Sequence, residues 1–125
     1  MSITLSTSAR DDAVNALADM VDVGGAGTIE FYTASFATLL AELSFSNPAF
    51  GAGTSGTATA NAITTDTSAN DSGTLSVFQI INGEGSPVLS GDVSASGGDI
   101  NFDSTAVIIG DTIRVDSLTL TVPAS

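Results

Sequence analysis

The sequence predicts a mainly β fold: an antiparallel β-sandwich or small barrel with one N-terminal α-helix. Several short stretches alternate apolar residues with Thr or Ser, as Leu118, Leu120 and Val122 do near the end of the chain, and this period of two is typical of strands with one buried face. Turn signals such as Asn82-Gly83 separate the stretches at close intervals. The alternation argues against a doubly wound parallel sheet, whose strands are apolar on both faces.

The length of the chain, 125 residues, fits one domain that can bury a modest core. Apolar residues make up 42% of the sequence and charged residues 13%, a balance that favours a folded chain over a disordered one. We predict a single β-rich domain over residues 1–125, with an N-terminal arm at residues 1–8 and a helix at residues 9–23.

The arm and the helix have distinct patterns. Ile3 and Leu5 alternate with hydroxyl residues, which predicts a short opening strand. Ser8 and Asp11 have the spacing of a capping box, and Gly24-Gly25 ends the helix. The apolar stripe predicted for the helix consists of Ala13, Val14, Leu17, Met20 and Val21.

The rest of the chain predicts strands joined by turns. Residues 36–43 fit helical and strand spacing equally well, and we favour a strand at 40–45 because Asn47-Pro48 ends it. The segment 51–73 is a long loop or a weak strand. Asn82-Gly83-Glu84-Gly85 predicts a hairpin turn, and Ser96-Gly97-Gly98 predicts a second reversal. The other predicted strands lie at residues 28–33, 74–81, 87–89, 92–94, 99–102 and 112–122.

The composition excludes several classes of function. The chain has no lysine, histidine, cysteine or tryptophan, and two arginines, Arg10 and Arg114, face fourteen acidic residues at a net charge of −12. Recognition of phosphates depends on Lys and Arg, so neither nucleic acid nor an anionic membrane is expected as a partner. Nucleophilic triads, the usual zinc sites and lysine Schiff bases need side chains that are missing. We therefore expect no enzymatic activity and no cofactor.

Two motifs match functional patterns without the structural context that these patterns need. Gly51-Ala52-Gly53-Thr54-Ser55-Gly56 has the glycine spacing of a dinucleotide-binding turn, but no buried strand precedes it and no convincing helix follows it. Asp71-Ser72-Gly73 matches the turn of aspartic proteases but lacks the apolar strand that would hold the aspartate. We predict a plain loop or turn at both places.

A third motif concerns calcium. Asp99, Asn101 and Asp103 place oxygen ligands at alternate positions, as at the start of a calcium-binding loop. Ser104 stands where such a loop needs glycine, and Gly110 stands where it needs a bidentate acid, so a specific EF-hand is excluded. The three residues remain candidates for nonspecific or interfacial calcium, and otherwise we predict no metal site.

The seven aromatic residues are expected mostly in the core, with about five of them buried. Phe31 and Tyr32 are adjacent in a predicted strand and point to opposite faces, so both are buried only if both faces are covered. This arrangement favours a homo-oligomer. The candidate interface residues are Ile3, Leu5, Phe31, Tyr32 and Phe50.

Segments that cover most of the chain resemble a recurrent small virion protein of tailed bacteriophages. The resemblance implies a structural component of the particle and supplies no active site. The segments that carry it are Met1-Ser2-Ile3-Thr4-Leu5-Ser6-Thr7-Ser8-Ala9-Arg10 with the following helix, Gly27-Thr28-Ile29-Glu30-Phe31-Tyr32, Asn47-Pro48-Ala49-Phe50-Gly51, Ala60-Asn61-Ala62-Ile63 and Leu118-Thr119-Leu120-Thr121-Val122-Pro123.

We predict a non-enzymatic capsid decoration or cement protein, made in the host cytoplasm and located in the virion. It would bind the major capsid protein or other virion subunits as a small homo-oligomer, with residues 1–8 and 51–73 as candidate grips on the shell. One alternative is a neck, tail or fibre component that contacts the host. Another is a carbohydrate-binding or adhesive β-sandwich that acts outside any virion.

Overall fold

The structure, a computed structural model that describes residues 3–124, has the mainly β fold with one N-terminal helix that the sequence predicts. A curled sheet of five strands in the order β2-β1-β5-β6-β7 is accompanied by two small antiparallel pairs, β3-β9 and β4-β8. The elements are α1 (Thr7–Val21), β1 (Thr28–Tyr32), a 3-10 turn (Ala34–Phe36), β2 (Leu39–Ser44), β3 (Thr57–Thr59), β4 (Gly73–Thr74), β5 (Val77–Ile81), β6 (Pro87–Ser94), β7 (Ile100–Asn101), β8 (Ala106–Val107) and β9 (Thr119–Thr121).

Strand β1 lies between β2 and β5 in the sheet and contributes two of the fully buried core side chains. It pairs antiparallel with β2 and β5, so that Ile29 lies opposite Leu43 on one side and Ile80 on the other, and Phe31 lies opposite Phe78. All five side chains are buried because they share the inner face of the sheet. Full burial of such a side chain contributes about 1.5–3 kcal/mol, which makes this row the main source of apolar stabilisation in the sheet.

Five of the seven aromatic residues belong to the core, as predicted. Phe31 contacts Phe102 edge to face with ring centroids 5.5 Å apart, and Phe45 lies 5.5 Å from Phe50. Phe78 completes the group at 6.4 Å from Phe31. Aromatic pairs at these separations add stabilisation beyond the area that they bury.

The hairpin predicted at Asn82-Gly83-Glu84-Gly85 is confirmed, since it joins β5 to β6 in an antiparallel pair. The second predicted reversal, at Ser96-Gly97-Gly98, is wrong. Strands β6 and β7 run parallel, with Val93 beside Ile100. Gly97 adopts a φ of 78°, which lets the chain loop out and return in its original direction.

The predicted opening strand is absent, and the predicted last strand is shorter than expected. No strand forms at Ile3 or Leu5. Of the strand predicted at 112–122, only β9 forms, although Ile113 and Val115 are buried. Their side chains fill the core while the main chain around them stays irregular, so apolar alternation alone overestimated the strand length.

Helix α1 begins two residues earlier than predicted. Ser6 is its N-cap, with its Oγ accepting a hydrogen bond from the Ala9 amide at 3.1 Å. The predicted cap at Ser8 with Asp11 is therefore wrong, and residues 7 and 8 belong to the helix instead of the arm. Met1 and Ser2 of the predicted arm lie outside the described residues.

The buried face of α1 differs from the predicted stripe. Val14, Ala18 and Val21 are buried, whereas Ala13 is exposed and Met20 is 51% exposed. Ala18 lies on the inner face of the helix, at a position where the helical spacing predicted no buried side chain. With this face against the core, polar side chains of the helix lie against the loop that follows β2.

The outer edge of β2 is covered by the chain itself. Main-chain amides of the segment 64–70 donate to the carbonyls of Ser44 and Leu40, each at 2.8 Å. Between them, Asp66 Oδ2 accepts a hydrogen bond from the Glu42 amide at 2.9 Å. An unpaired edge strand is a template for aggregation, and the segment 64–70 removes that hazard here.

Four polar side chains of α1 bind the main chain of the loop between β2 and β3, and we call this set the helix clamp. Asp22 Oδ1 accepts from the Ala49 amide at 2.9 Å. The other three members are Arg10, Asp11 and Asn15. Because the loop contains few strand hydrogen bonds of its own, these contacts supply partners for three of its amides and for the Ser55 carbonyl.

Arg10 links three parts of the fold. Its Nε donates to the carbonyl of Val122 at 2.9 Å, and its Nη2 donates to the carbonyl of Ser55 at 2.8 Å. The guanidinium therefore joins α1 to the loop and to the chain that follows β9. Hydrogen bonds from a charged donor are stronger than neutral ones.

We predict that Arg10→Ala lowers the free energy of unfolding by about 2–3 kcal/mol, because two charged hydrogen bonds and the packing of the aliphatic stem are lost together. Arg114→Ala is the matched control. Arg114 pairs with Asp116 at 2.8 Å in an exposed position, so its removal should change stability by less than about 0.5 kcal/mol. Urea denaturation followed by far-UV circular dichroism measures both. Equal effects of the two substitutions would contradict the role given to Arg10.

Candidate binding groove

An open groove of about 780 Å³ lies between the segments 99–107 and 111–119. The first segment contains β7 and β8, and the second leads to the start of β9. We call it the binding groove. Its floor is formed by six buried apolar residues: Leu75, Ile100, Val107, Ile113, Val115 and Leu118.

The rim of the binding groove is acidic. Asp99, Asp103, Asp111 and Asp116 line it together with one cation, Arg114, which leaves a net formal charge of −3. The Arg114 guanidinium is already paired with Asp116 at 2.8 Å. The groove therefore presents an apolar floor between carboxylates, a surface that favours ligands with both apolar groups and positive charge.

A tight turn at the rim presents two isoleucines to solvent. Ile108 and Ile109 are 66% and 62% exposed, and the floor residue Val107 precedes them directly. The turn is held by side-chain acceptors: Asp111 Oδ2 accepts from the Ile108 amide at 2.9 Å, and Ser72 Oγ accepts from the Ile109 amide at 2.8 Å. Two apolar side chains on a fixed turn form a preorganised contact surface.

Strand β7 contributes Ile100 and Asn101 to the binding groove. It is the last strand of the five-stranded sheet, so its outer edge has no neighbouring strand within residues 3–124. Edges of this kind pair readily with an added strand. The groove thus combines an apolar floor, an acidic rim and a free sheet edge.

The three calcium candidates do not converge on one point. Asp99 Oδ2 accepts from the Asp92 amide at 3.0 Å, and Asn101 Oδ1 accepts from the Gly98 amide at 2.9 Å. These oxygens hold the turn between β6 and β7, while Asp103 lies on the rim of the groove. In the described part of the chain, no group of three or more Asp, Glu, His or Cys residues is arranged to hold a metal ion.

The five predicted interface residues divide into two sets. Ile3 is 81% exposed and Leu5 is 38% exposed, so both side chains are accessible to a partner. Phe31 and Phe50 are buried in the core, which corrects their prediction as interface residues, because neither side chain reaches the surface. Their burial follows from the inner-face position of Phe31 and from the pairing of Phe50 with another core aromatic ring.

Tyr32, the fifth candidate, is half-buried on the outer face of the sheet. Phe36 covers its ring edge to face at a centroid distance of 5.3 Å. The 3-10 turn of the same chain therefore covers part of the Tyr32 ring. From the sequence, a second copy of the chain was expected to provide this cover. The Tyr32 hydroxyl donates to Glu30 Oε1 at 2.9 Å.

The surroundings of Tyr32 raise its pKa to about 12, first through burial and then through the hydrogen bond to Glu30 and the negative charges of Glu30 and Glu42. Glu30 and Glu42 lie directly opposite each other on β1 and β2. Like charges at opposed positions destabilise a sheet. The Tyr32 hydroxyl offsets part of that repulsion by donating a hydrogen bond to the Glu30 carboxylate.

The dinucleotide-like glycine motif is part of the loop held by the helix clamp. Asp11 Oδ1 accepts from the Gly56 amide at 2.6 Å, and Asn15 Oδ1 accepts from the Gly53 amide at 2.7 Å. In a nucleotide-binding turn such amides point at phosphate. Here they are occupied by side chains of the same chain, and β3 follows the motif in place of a helix, so the prediction of a plain loop is supported.

The protease-like turn is also structural. The hydroxyl of Ser72 accepts from Ile109, and Asp71 Oδ1 accepts from the Ser72 amide at 2.7 Å. The role of Ser72 in supporting the Ile108-Ile109 turn was not predicted from the sequence. The turn itself had a sequence signal, because two adjacent isoleucines directly before Gly110 do not fit the alternation of a strand.

Comparisons with models of protein families, with curated proteins and with solved structures find no match to this chain. Within residues 3–124, no helix has the length and apolar character required to cross a membrane.

We predict that Gly53→Ala lowers the free energy of unfolding by about 1–3 kcal/mol, because the added methyl group would collide with the Val14 side chain under the loop. Gly51→Ala is the matched control from the same motif. A methyl group at Gly51 meets only the Thr59 carbonyl oxygen at 3.7 Å, so the change should be within about 0.5 kcal/mol. Thermal unfolding of the three proteins tests this, and a tolerated Gly53→Ala would contradict the packing described for the loop.

The raised pKa of Tyr32 is directly measurable, since Tyr32 is the only tyrosine of the chain. Titration by absorbance at alkaline pH should give a midpoint near pH 12 in the folded protein. Because the folded-state pKa lies above the usual value of 10.0, the associated stability is present below pH 10 and is lost as the pH rises toward 12. Glu30→Gln should lower the midpoint, whereas Glu84→Gln on the distant hairpin should not. A wild-type midpoint near 10 would contradict the described environment.

Proposed function

We propose that this protein is a non-enzymatic structural subunit of a virion, and specifically a decoration or cement protein that binds the outside of the head shell. The resemblance to small virion proteins of tailed bacteriophages suggests the class. The observation that supports a binding role most strongly is the rigid turn that exposes Ile108 and Ile109 beside the apolar binding groove.

Exposed apolar side chains on a fixed main chain favour binding for two reasons. Their contact with water is unfavourable by about 25 cal/mol for each Å² of apolar surface, and a partner that covers them removes that cost. The turn is already ordered by the hydrogen bonds that Asp111 and Ser72 accept from its amides, so little conformational entropy is lost on association. The exposed arm at Ile3 offers a second apolar contact at another place on the chain.

The large negative charge is consistent with a protein that coats another surface. At −12, copies repel one another in solution, which keeps the free subunit from aggregating before it reaches the shell. Self-association on the shell would then need apolar contacts such as those of the arm, or cations that screen the repulsion. A homo-oligomer is part of this proposal.

The direct test is co-sedimentation of the purified protein with head shells assembled from the major capsid protein of a tailed bacteriophage. The proposal expects saturable binding of hundreds of copies per shell, the number set by the symmetry of the lattice. The double variant Ile108→Ser with Ile109→Ser should bind at least about tenfold more weakly, because the anchor side chains are lost.

Val23→Ser is the matched control, since it removes an exposed apolar side chain at the far end of α1. It should bind like the wild type. Absence of binding at saturating protein would contradict the decoration role. Binding in tens of copies would contradict a lattice site and favour a neck, tail or fibre position.

A further inference from the structure

We infer that the binding groove receives an extended segment of a partner protein in which apolar residues alternate with lysine or arginine. The inference rests on the proposed function, because it names the chemistry of the shell-side contact. It is also supported by the geometry and the charge of the groove, and both can be tested in the absence of head shells.

The shape of the groove suits an extended chain. Its volume of about 780 Å³ lies within the range of roughly 300–1,000 Å³ found for ligand-binding clefts, and its floor is apolar along both bordering segments. An extended peptide directs alternate side chains to opposite faces. One face would cover the floor residues, such as Val115 and Ile113, while the intervening side chains remain at the level of the rim.

The negative charge of the rim favours lysine or arginine at the intervening positions of the bound segment. Asp103 and Asp116 are exposed carboxylates on the rim, and the single cation there, Arg114, is already paired. Lysine and arginine have long aliphatic stems that lie over apolar surface while the charged end reaches a carboxylate. A segment with acidic side chains at the same positions would be repelled.

A second copy of this chain does not fit the rim. The chain has only two cationic side chains, and both are engaged within the fold: Arg10 donates to the carbonyls of Val122 and Ser55, and Arg114 pairs with Asp116. A second copy would also bring a net charge of −12 to an acidic surface. The occupant is therefore a segment of a different protein.

The free edge of β7 favours main-chain pairing with that segment. Its two residues, Ile100 and Asn101, line the groove, and the outer edge has no strand beside it within residues 3–124. Strand addition gives affinity through main-chain hydrogen bonds, while side-chain contacts give specificity. The floor and the rim supply those two kinds of side-chain contact here.

The test uses a fluorescently labelled eight-residue peptide that alternates valine and lysine, with binding measured by fluorescence anisotropy. Two comparison peptides replace lysine by glutamate or valine by serine. The inference expects saturable one-to-one binding of the valine–lysine peptide, at least about tenfold weaker binding of the serine–lysine peptide, and none of the valine–glutamate peptide. Affinity should fall as sodium chloride is raised, because the rim contacts are exposed and are screened by salt.

Variants of the protein then locate the site. Asp103→Asn with Asp116→Asn should weaken binding by about fivefold or more, since two exposed charge pairs are lost and Arg114 is released from Asp116. Asp12→Asn with Asp19→Asn is the control. It removes the same total charge from the exposed side of α1 and should leave the affinity unchanged.

Three outcomes would overturn the inference: no binding of the valine–lysine peptide, equal loss in the two double variants, or equal affinity for the serine–lysine peptide. Equal loss would mean that the peptide responds only to overall charge. The outcomes are separable from those of the proposed function, because shell binding is measured without the peptide. Shell binding that survives Asp103→Asn with Asp116→Asn would keep the decoration role and remove the groove from it.

Discussion

The fold depends on one recurring interaction: an aspartate or asparagine side chain accepts a hydrogen bond from a main-chain amide that has no strand partner. Short strands leave long irregular segments, and buried or half-buried amides in such segments need acceptors. Asp22 supplies one for Ala49, Asp66 for Glu42, and Asp111 for Ile108. Asp22 and Asp66 each hold a piece of irregular chain against a regular element, and Asp111 closes the turn in which it lies. The sheet and its apolar row provide the core, but these acceptors determine the course of the chain around it.

This interaction explains part of the acidic composition. Many aspartates of the chain are structural acceptors, and a charge of −12 is in part a consequence of building loops in this way. Four of the aspartates, Asp99, Asp103, Asp111 and Asp116, line the binding groove, and together with Arg114 they give it a net formal charge of −3. The same property therefore stabilises the loops and gives one surface an electrostatic preference. The proposed binding role rests on that surface and not on any motif in the sequence.

Sequence reasoning predicted the parts of the fold that depend on local patterns and missed those that depend on distant contacts. The alternation in residues 28–33 and the turn at Asn82-Gly83 identified β1 and the β5-β6 hairpin, because side-chain period and turn chemistry act over a few residues. The parallel pairing of β6 with β7 and the irregular path from Ile113 to Leu118 were missed, since both are set by packing on remote elements. The predicted interface residues Ile3 and Leu5 are exposed, as an interface requires, whereas Phe31 and Phe50 are buried in the core. The groove could not be predicted, because its walls come from segments that only the folded chain brings together.

The most direct test of the central claim is hydrogen exchange, measured by NMR, at the amides that the helix clamp binds. Ala49, Gly53 and Gly56 lie outside the named strands, yet their amides donate to Asp22, Asn15 and Asp11 at 2.9, 2.7 and 2.6 Å. We predict that these three amides are protected to a degree comparable with the amides of β1, and that Asp11→Ala removes the protection at Gly56 first. Exchange of all three at the rate of an unstructured peptide would contradict the claim that side-chain acceptors hold the loops of this protein.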